Sequence, residues 1–283
     1  MSKNEAVGLR FFLKIIGAIL LIIGFVHFMS AMTVDRIIEY KEISISSPKV
    51  SSSLNGYRVA FVTDVHALPA AELQTMVKEL DGRNIDLLVL GGDFPNGDAV
   101  WRGMQILGQT STRDGAYGIE GNHDDYEELF AAMRKNRIRP LSNSGQYVRE
   151  NLYIAGVKDL WNREPDVAKA IGKAKDRDFV LLLAHNPDIT MQQDMSKVDL
   201  TLSGHTHGGQ VTFFGIWAPR LAWPGISDYG EKFKAGWAIS QSGTPVYVSR
   251  GTGSIYGVFG GYDIPIPRVF ARPEVTIITL KSQ

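Results

Sequence analysis

The stretch Val59-Ala60-Phe61-Val62-Thr63-Asp64-Val65-His66 joins an apolar run of four residues to a carboxylate and an imidazole two positions apart. A run that short and that apolar suits a strand buried on both faces. A helical pattern follows from Pro69 to Leu80, with Pro69 in its first turn and Gly82 beyond its end. Buried strand, polar turn and helix together form the unit from which α/β domains are built. Whether the chain repeats that unit decides its fold class.

It does. Asp86 to Leu90 is a second buried run and leads into Gly91-Gly92-Asp93. Tyr117 to Glu120 enters Gly121-Asn122-His123-Asp124 and a helix predicted over Asp124 to Asn136. Leu152 to Gly156 is followed by a polar helix near Pro165 to Lys175, and Phe179 to Leu183 runs into Ala184-His185-Asn186. Val198 to Leu202 enters Ser203-Gly204-His205-Thr206-His207-Gly208-Gly209-Gln210, and Val246 to Val248 and Val275 to Leu280 complete the strands. Strands alternating with helices predict an α/β domain with one largely parallel sheet or two such sheets. Ligands of such sheets bind beyond the carboxyl ends of the strands. Five strands therefore bring Asp64, His66, Asp93, Asn122, His123, His185, His205 and His207 toward one rim. On extended backbone, His205 and His207 would point to the same side. The glycines around them let the chain turn sharply and pass close to something bulky.

The 283 residues suit one large domain or two small ones. With 30 basic and 30 acidic side chains, net charge signals no nucleic acid partner. The absence of cysteine excludes disulfides, thiolate metal sites and cysteine nucleophiles. No G-x-S-x-G elbow or phosphate-binding G-x-x-x-x-G-K-[ST] loop occurs. Ile15 to Met32 is apolar, with His27 its one titratable residue, and is long enough to span a bilayer once Phe11 to Leu13 are counted. Ser30-Ala31-Met32 is a poor cleavage site, which favours an uncleaved anchor over a signal peptide. The predicted organisation is a cytoplasmic segment over 1–14, a transmembrane anchor over 15–33, a linker with an edge strand over 34–56, and the α/β domain over 57–283. Lys3, Arg10 and Lys14 precede the apolar run, and Arg36 and Lys41 follow it. The bias between them predicts that the α/β domain lies outside the cytoplasm.

Five of the six histidines stand in the strand-end motifs. Neutral imidazoles with Asp and Asn oxygens suit Mn²⁺, Fe²⁺, Zn²⁺ or Co²⁺ rather than calcium. Seven candidate ligands exceed the needs of one catalytic ion, and two ions sharing a carboxylate would use them.

In this order D-x-H, G-D, G-N-H-D, a strand-end His and G-H-x-H resemble the calcineurin-like metallophosphoesterases, from about Tyr57 to Leu280. H-T-H-G-G-Q, Val248-Ser249-Arg250-Gly251 and Arg272-Pro273-Glu274 resemble its subgroup of exported or membrane-anchored bacterial phosphodiesterases. The resemblance implies two packed mixed β-sheets flanked by helices, preceded here by one N-terminal transmembrane helix. It also implies that Asp64, His66 and His207 bind one divalent ion, that Asn122, His185 and His205 bind a second, and that Asp93 bridges them. His123 would assist the leaving oxygen without binding metal. The glycines of the H-T-H turn would leave room for the phosphate. Asn96 is a departure, since many relatives carry an aspartate there. The implied activity is hydrolysis of a phosphoester by metal-activated hydroxide, as a phosphodiesterase or pyrophosphatase acting on a lipid or envelope substrate. The alternatives are a phosphomonoesterase and a metal-binding scaffold without turnover.

Two further stretches remain. Val211 to Trp237 is rich in aromatics, including Phe213, Phe214, Trp217, Trp223 and Trp237. It reads as a packed active-site loop, with a lipid-touching surface as the competing reading. Gly251 to Gly261 lacks the spacing of a dinucleotide fingerprint and reads as a rim loop.

Overall fold

The structure, a computed structural model, describes residues 3–66, 68–161, 163–222, 225–259 and 262–283. Its first element is helix α1, Lys3–Met32. Strands β1 (Glu39–Ser47) and β2 (Arg58–Val62) follow, then α2 (Ala70–Asp81), β3 (Leu87–Leu90) and α3 (Asp98–Leu107). Next come β4 (Ala116–Gly118), α4 (Tyr126–Lys135), β5 (Ile138–Pro140), β6 (Ser144–Arg149) and β7 (Leu152–Gly156). Then follow α5 (Val167–Ile171), β8 (Phe179–Leu183), β9 (Leu200–Ser203), β10 (Gly236–Ile239) and β11 (Pro245–Val248). A hairpin of β12 (Tyr256–Phe259) and β13 (Tyr262–Pro265) precedes the closing strand β14 (Glu274–Ser282).

Two six-stranded sheets result, ordered β1-β14-β2-β3-β4-β5 and β10-β11-β9-β8-β7-β6. Both are mixed. In the first, β14 runs antiparallel to β2 while β2 to β5 are parallel; in the second, β7, β8, β9 and β11 are parallel between antiparallel edges. Successive residues of a strand face opposite sides, and here both sides are apolar. Val59 and Phe61 join Leu87, Val89, Leu181 and Leu202 in the core between the sheets. Ala60 and Val62 turn outward to Met76, Leu80 and Met104 under α2 and α3. This double burial is why the strands read as unbroken apolar runs.

The sequence left several elements unforeseen. Val100, Gly103, Met104 and Leu107 form the buried stripe of α3, a helical spacing interrupted only by its glycine. Strands β5, β6 and β10 are short, and β6 is largely unburied, so neither length nor apolar pattern marks them. The segment over 34–56 is more structure than linker. Its strand β1 pairs with β14 along nine residues, beginning at Glu39 opposite Glu274. Helix α1 takes in most of the segment expected before the apolar run.

Candidate metal centre

Turns at the carboxyl ends of β2, β3, β4, β8 and β9 converge, and backbone hydrogen bonds hold them in register. Asp64 N–H donates to Gly92 O and His66 N–H to Asp93 O, at 2.9 and 3.0 Å. Gly204 N–H donates to His185 O at 3.0 Å, linking the ends of β8 and β9. Among the described residues, Asp64, His66, Asp93, His205 and His207 all hold positive φ, between 41° and 70°. Non-glycine residues reach this region at a cost that surrounding structure must offset, and such strain collects at functional sites.

Asp64, His66, Asp93 and His207 are buried, and one ligand atom from each lies within 4.8 Å of every other. His66 Nε2 is 3.0 Å from His207 Nε2, which is 3.2 Å from Asp64 Oδ1. A second group stands beside it. His185 Nε2 is 3.2 Å from Asn122 Oδ1, and His205 Nδ1 approaches the same oxygen at 2.8 Å. Asp93 faces both groups with a single oxygen: its Oδ2 lies 3.5 Å from His66 Nε2 and 3.3 Å from His185 Nε2. Its Oδ1 instead accepts the His123 N–H at 3.0 Å.

The donor set fits divalent ions. Atoms that share an ion at 2.0–2.2 Å stand roughly 3–3.5 Å apart in tetrahedral or octahedral arrangements. Ring orientation is fixed from behind, as metal-binding histidines require. His185 Nδ1 lies 2.8 Å from Gly91 O, and His205 Nε2 lies 2.9 Å from Ile226 O. Each backbone oxygen can only accept, so the nitrogen behind the ring carries a hydrogen and the other nitrogen is the one turned toward the site. Burial, then His207, lowers the His66 imidazole to about 4. Burial, then His185, lowers His205 to about 3. Both are neutral at pH 7. Burial also disfavours charge on His185, but Asp93 outweighs it and holds the proton there well above the ordinary value.

The two histidines of the turn lie against different neighbours, and strand alternation is not the reason. His205 packs against His185 and His207 stacks on His66, with ring centroids at 5.2 and 4.9 Å. The backbone is a tight turn rather than extended chain, with φ of 70° and 53° at the two histidines and −83° at Thr206 between them. The glycines also serve another purpose than room for phosphate. A Cβ on Gly204 would lie 2.1 Å from Asp64 Oδ2, and one on Gly208 2.8 Å from the Arg250 side chain. They admit protein groups.

His123 is exposed, and its ring stands 5.5 Å from that of His66. Both line an open cavity of about 1080 Å³ whose walls mix Leu73, Phe94 and Ile255 with Arg102 and Arg220. Asn96 keeps a supporting contact despite its departure from aspartate. Its amide donates to His123 O at 3.1 Å, a bond an ionised carboxylate could not donate, and its oxygen accepts from Asp125 N–H. Asp124 was not foreseen as a structural residue. Its carboxylate accepts from Asp93, Phe94 and Gly121 N–H at 2.7–2.8 Å, clamping the turns after β3 and β4 together. Arg268 is likewise new. Its buried guanidinium donates to His207, Ala271, Gly253 and Arg250 carbonyls. Lying far from the motifs in sequence, it gave no local signal.

The rim loop passes over the site, where a Cβ on Gly251 would meet Asp64; Gly260 and Gly261 lie outside the described residues, as do Trp223 and Pro224.

The profile of the calcineurin-like phosphoesterases matches residues 57–209. The chain is 30% identical over 268 residues to a Bacillus subtilis protein named uncharacterized metallophosphoesterase YkuE, covering 87% of each. It is 30% identical over 243 residues to an uncharacterized metallophosphoesterase of Aquifex aeolicus, covering 80% of this chain and 85% of that one. A zebrafish protein named transmembrane protein with metallophosphoesterase domain is 31% identical over 310 residues, spanning 99% of this chain and 66% of its own length.

Proposed function

The chain belongs to the calcineurin-like phosphoesterases, metal-dependent hydrolases of phosphoesters, and from that premise we propose a membrane-anchored phosphodiesterase with a two-ion centre. The observation that carries the reading is the placement of Asp93 Oδ2 between His66 and His185. Asp64, His66 and His207 would hold one ion, Asn122, His185 and His205 the other, with Asp93 shared. Ions bound there supply Lewis acidity toward phosphoryl oxygens and a water acidic enough to attack at neutral pH. The chain's own part is to keep His66 and His205 unprotonated, to fix each ring from behind, and to align His123 through its N–H bond to Asp93. From the cavity wall, the His123 imidazole would give a proton to the departing oxygen.

The cavity supports an ester with an apolar body, because Leu73, Phe94 and Ile255 flank the arginines that would meet its charge. The anchor reading rests on α1, which has the length and composition to cross a membrane. Its end is also built into the domain: the buried Asp35 accepts from Ser30 Oγ at 2.5 Å and from Phe270 N–H at 2.7 Å. A relative's name as a transmembrane protein agrees with it. Protein reconstituted with Mn²⁺, Fe²⁺ or Zn²⁺ and assayed on paired aryl monoester and diester substrates tests the reading. The diester should turn over faster. A monoester preferred tenfold or more would make the protein a phosphomonoesterase instead, and no turnover with any ion would leave a metal-binding scaffold.

A further inference from the structure

The fold sends α1 into the domain at the rim that carries the metal centre. Strand β1 runs parallel to β14, which runs antiparallel to β2. Glu39, the first residue of β1, therefore lies at the end of the sheet where β2 delivers Asp64. The Glu39 carboxylate meets the guanidinium of Arg250, whose side chain packs on Gly208 of the H-T-H turn. A groove of about 470 Å³ leads from Ala31 and Arg36 at the end of α1 to Leu68, which also lines the cavity beside His66 and His123.

The loop after that turn reaches the same end of the helix. The His27 ring packs against Phe213, Phe214 and Phe270, with centroids 4.6–5.5 Å away. Phe214 and Phe270 adopt φ of 52° and 50°, a costly conformation for aromatic residues. Val211, Phe213, Ile216 and Trp217 are exposed, Ile216 at 76%. Lys234 Nζ holds the loop tip by donating to Gly215 O and Ile216 O at 3.1 and 2.6 Å. A shaped and stiffened loop thus presents apolar side chains to solvent. Its height follows from the helix. His27 stands five residues before Met32, the end of the apolar run, or about 7.5 Å along the axis at 1.5 Å per residue. Side chains touching it reach the depth at which interfacial elements sit, roughly 5–10 Å into the headgroup–acyl boundary.

We propose that the loop from Val211 to Trp217 is a second membrane contact, docked on the leaflet from which α1 emerges, so that the metal centre faces the bilayer. The proposal rests on the reading of α1 as a membrane span. A single attachment would let the domain swing, whereas two fix the rim and its cavity against the lipid surface.

The cysteine-free chain makes the test clean, since one introduced cysteine is one label. Full-length Phe25→Cys, Ile216→Cys and Asp176→Cys, each carrying an environment-sensitive fluorophore, are placed in bilayer discs containing spin-labelled lipid. Phe25 is on α1, Ile216 at the loop tip, and Asp176 on the turn before β8, at the rim opposite the metal centre. Quenching at 25 and 216 but not at 176 is the expected result, with shallow spin labels more effective at 216 than deep ones. Quenching at 25 alone overturns the second contact and leaves the anchor standing. Quenching at neither 25 nor 216 removes the anchor and the proposal with it, and equal quenching at 176 and 216 would mean unspecific adsorption and overturn it as well.

Discussion

Asp93 turns one carboxylate oxygen toward His66 and His185 and accepts the His123 N–H with the other. Asp93→Asn keeps the shape but loses the charge that two cations share, so hydrolysis should fall to background and elemental analysis should find fewer ions per chain. Normal occupancy with normal turnover would remove Asp93 from the centre. His123→Ala should behave differently. Both ions should stay, while kcat drops about 10²–10⁴-fold, most for poor leaving groups, as general-acid assistance requires. Equal losses for nitrophenyl and alkyl esters would count against that role. The two ligand groups should also part in their response to pH. Metal binds neutral imidazole. His66, held at about 4, is neutral across the working range, and His205 at about 3 likewise. His185, raised by Asp93, must lose a proton when metal binds. Binding at the Asn122 group should therefore release more protons and tighten more steeply with rising pH than binding at the Asp64 group. Calorimetry in buffers of different ionisation enthalpy reads the proton count, and zero release at both sites would refute the assignment. The eight candidate residues were legible as candidates because the turn that carries each follows an apolar strand. Asp124 was not, because an acid beside a motif histidine reads as its companion until three N–H groups are seen to converge on it.

Among the elements, β1 is the edge strand its alternation marked, extended to Glu39–Ser47. Alternation of Glu42 to Ser46 marked an edge strand, but nothing local could show that its partner is β14, the last strand of the chain. Because Glu39 at its start pairs with Arg250, the strand belongs to the catalytic domain. A chain beginning at Val34 should be soluble and hydrolyse small chromogenic diesters. One beginning at Val50 leaves the edge of β14 unpaired and Arg250 without Glu39, and should melt several degrees lower or precipitate, given that about 1 kcal/mol moves Tm by roughly 2–4 °C at this size. Thermal denaturation of the two chains decides it; equal melting temperatures would return the segment to the status of a linker. The H-T-H turn makes a related point. That its two imidazoles are candidate ligands was readable, but its tight, non-extended backbone was not, because the turn is held by bonds to other strands, such as Gly204 N–H to His185 O.

Over the whole molecule, the apolar runs predicted buried strands and the motif order predicted their convergence, and the two mixed sheets with flanking helices agree. What periodicity could not foresee was which sheet each strand joins, since β2 and β8 are equally apolar on both faces. The sandwich brings three turns with candidate ligands from one sheet against two from the other, and at that seam we propose the two-ion centre. It is tested most directly by stripping full-length protein of metal and titrating it with Mn²⁺ while bound ions and diester hydrolysis are followed together. With two ions needed per site, activity should stay low through the first equivalent, rise with the second and level off at two ions per chain. Full activity at one ion per chain would contradict it.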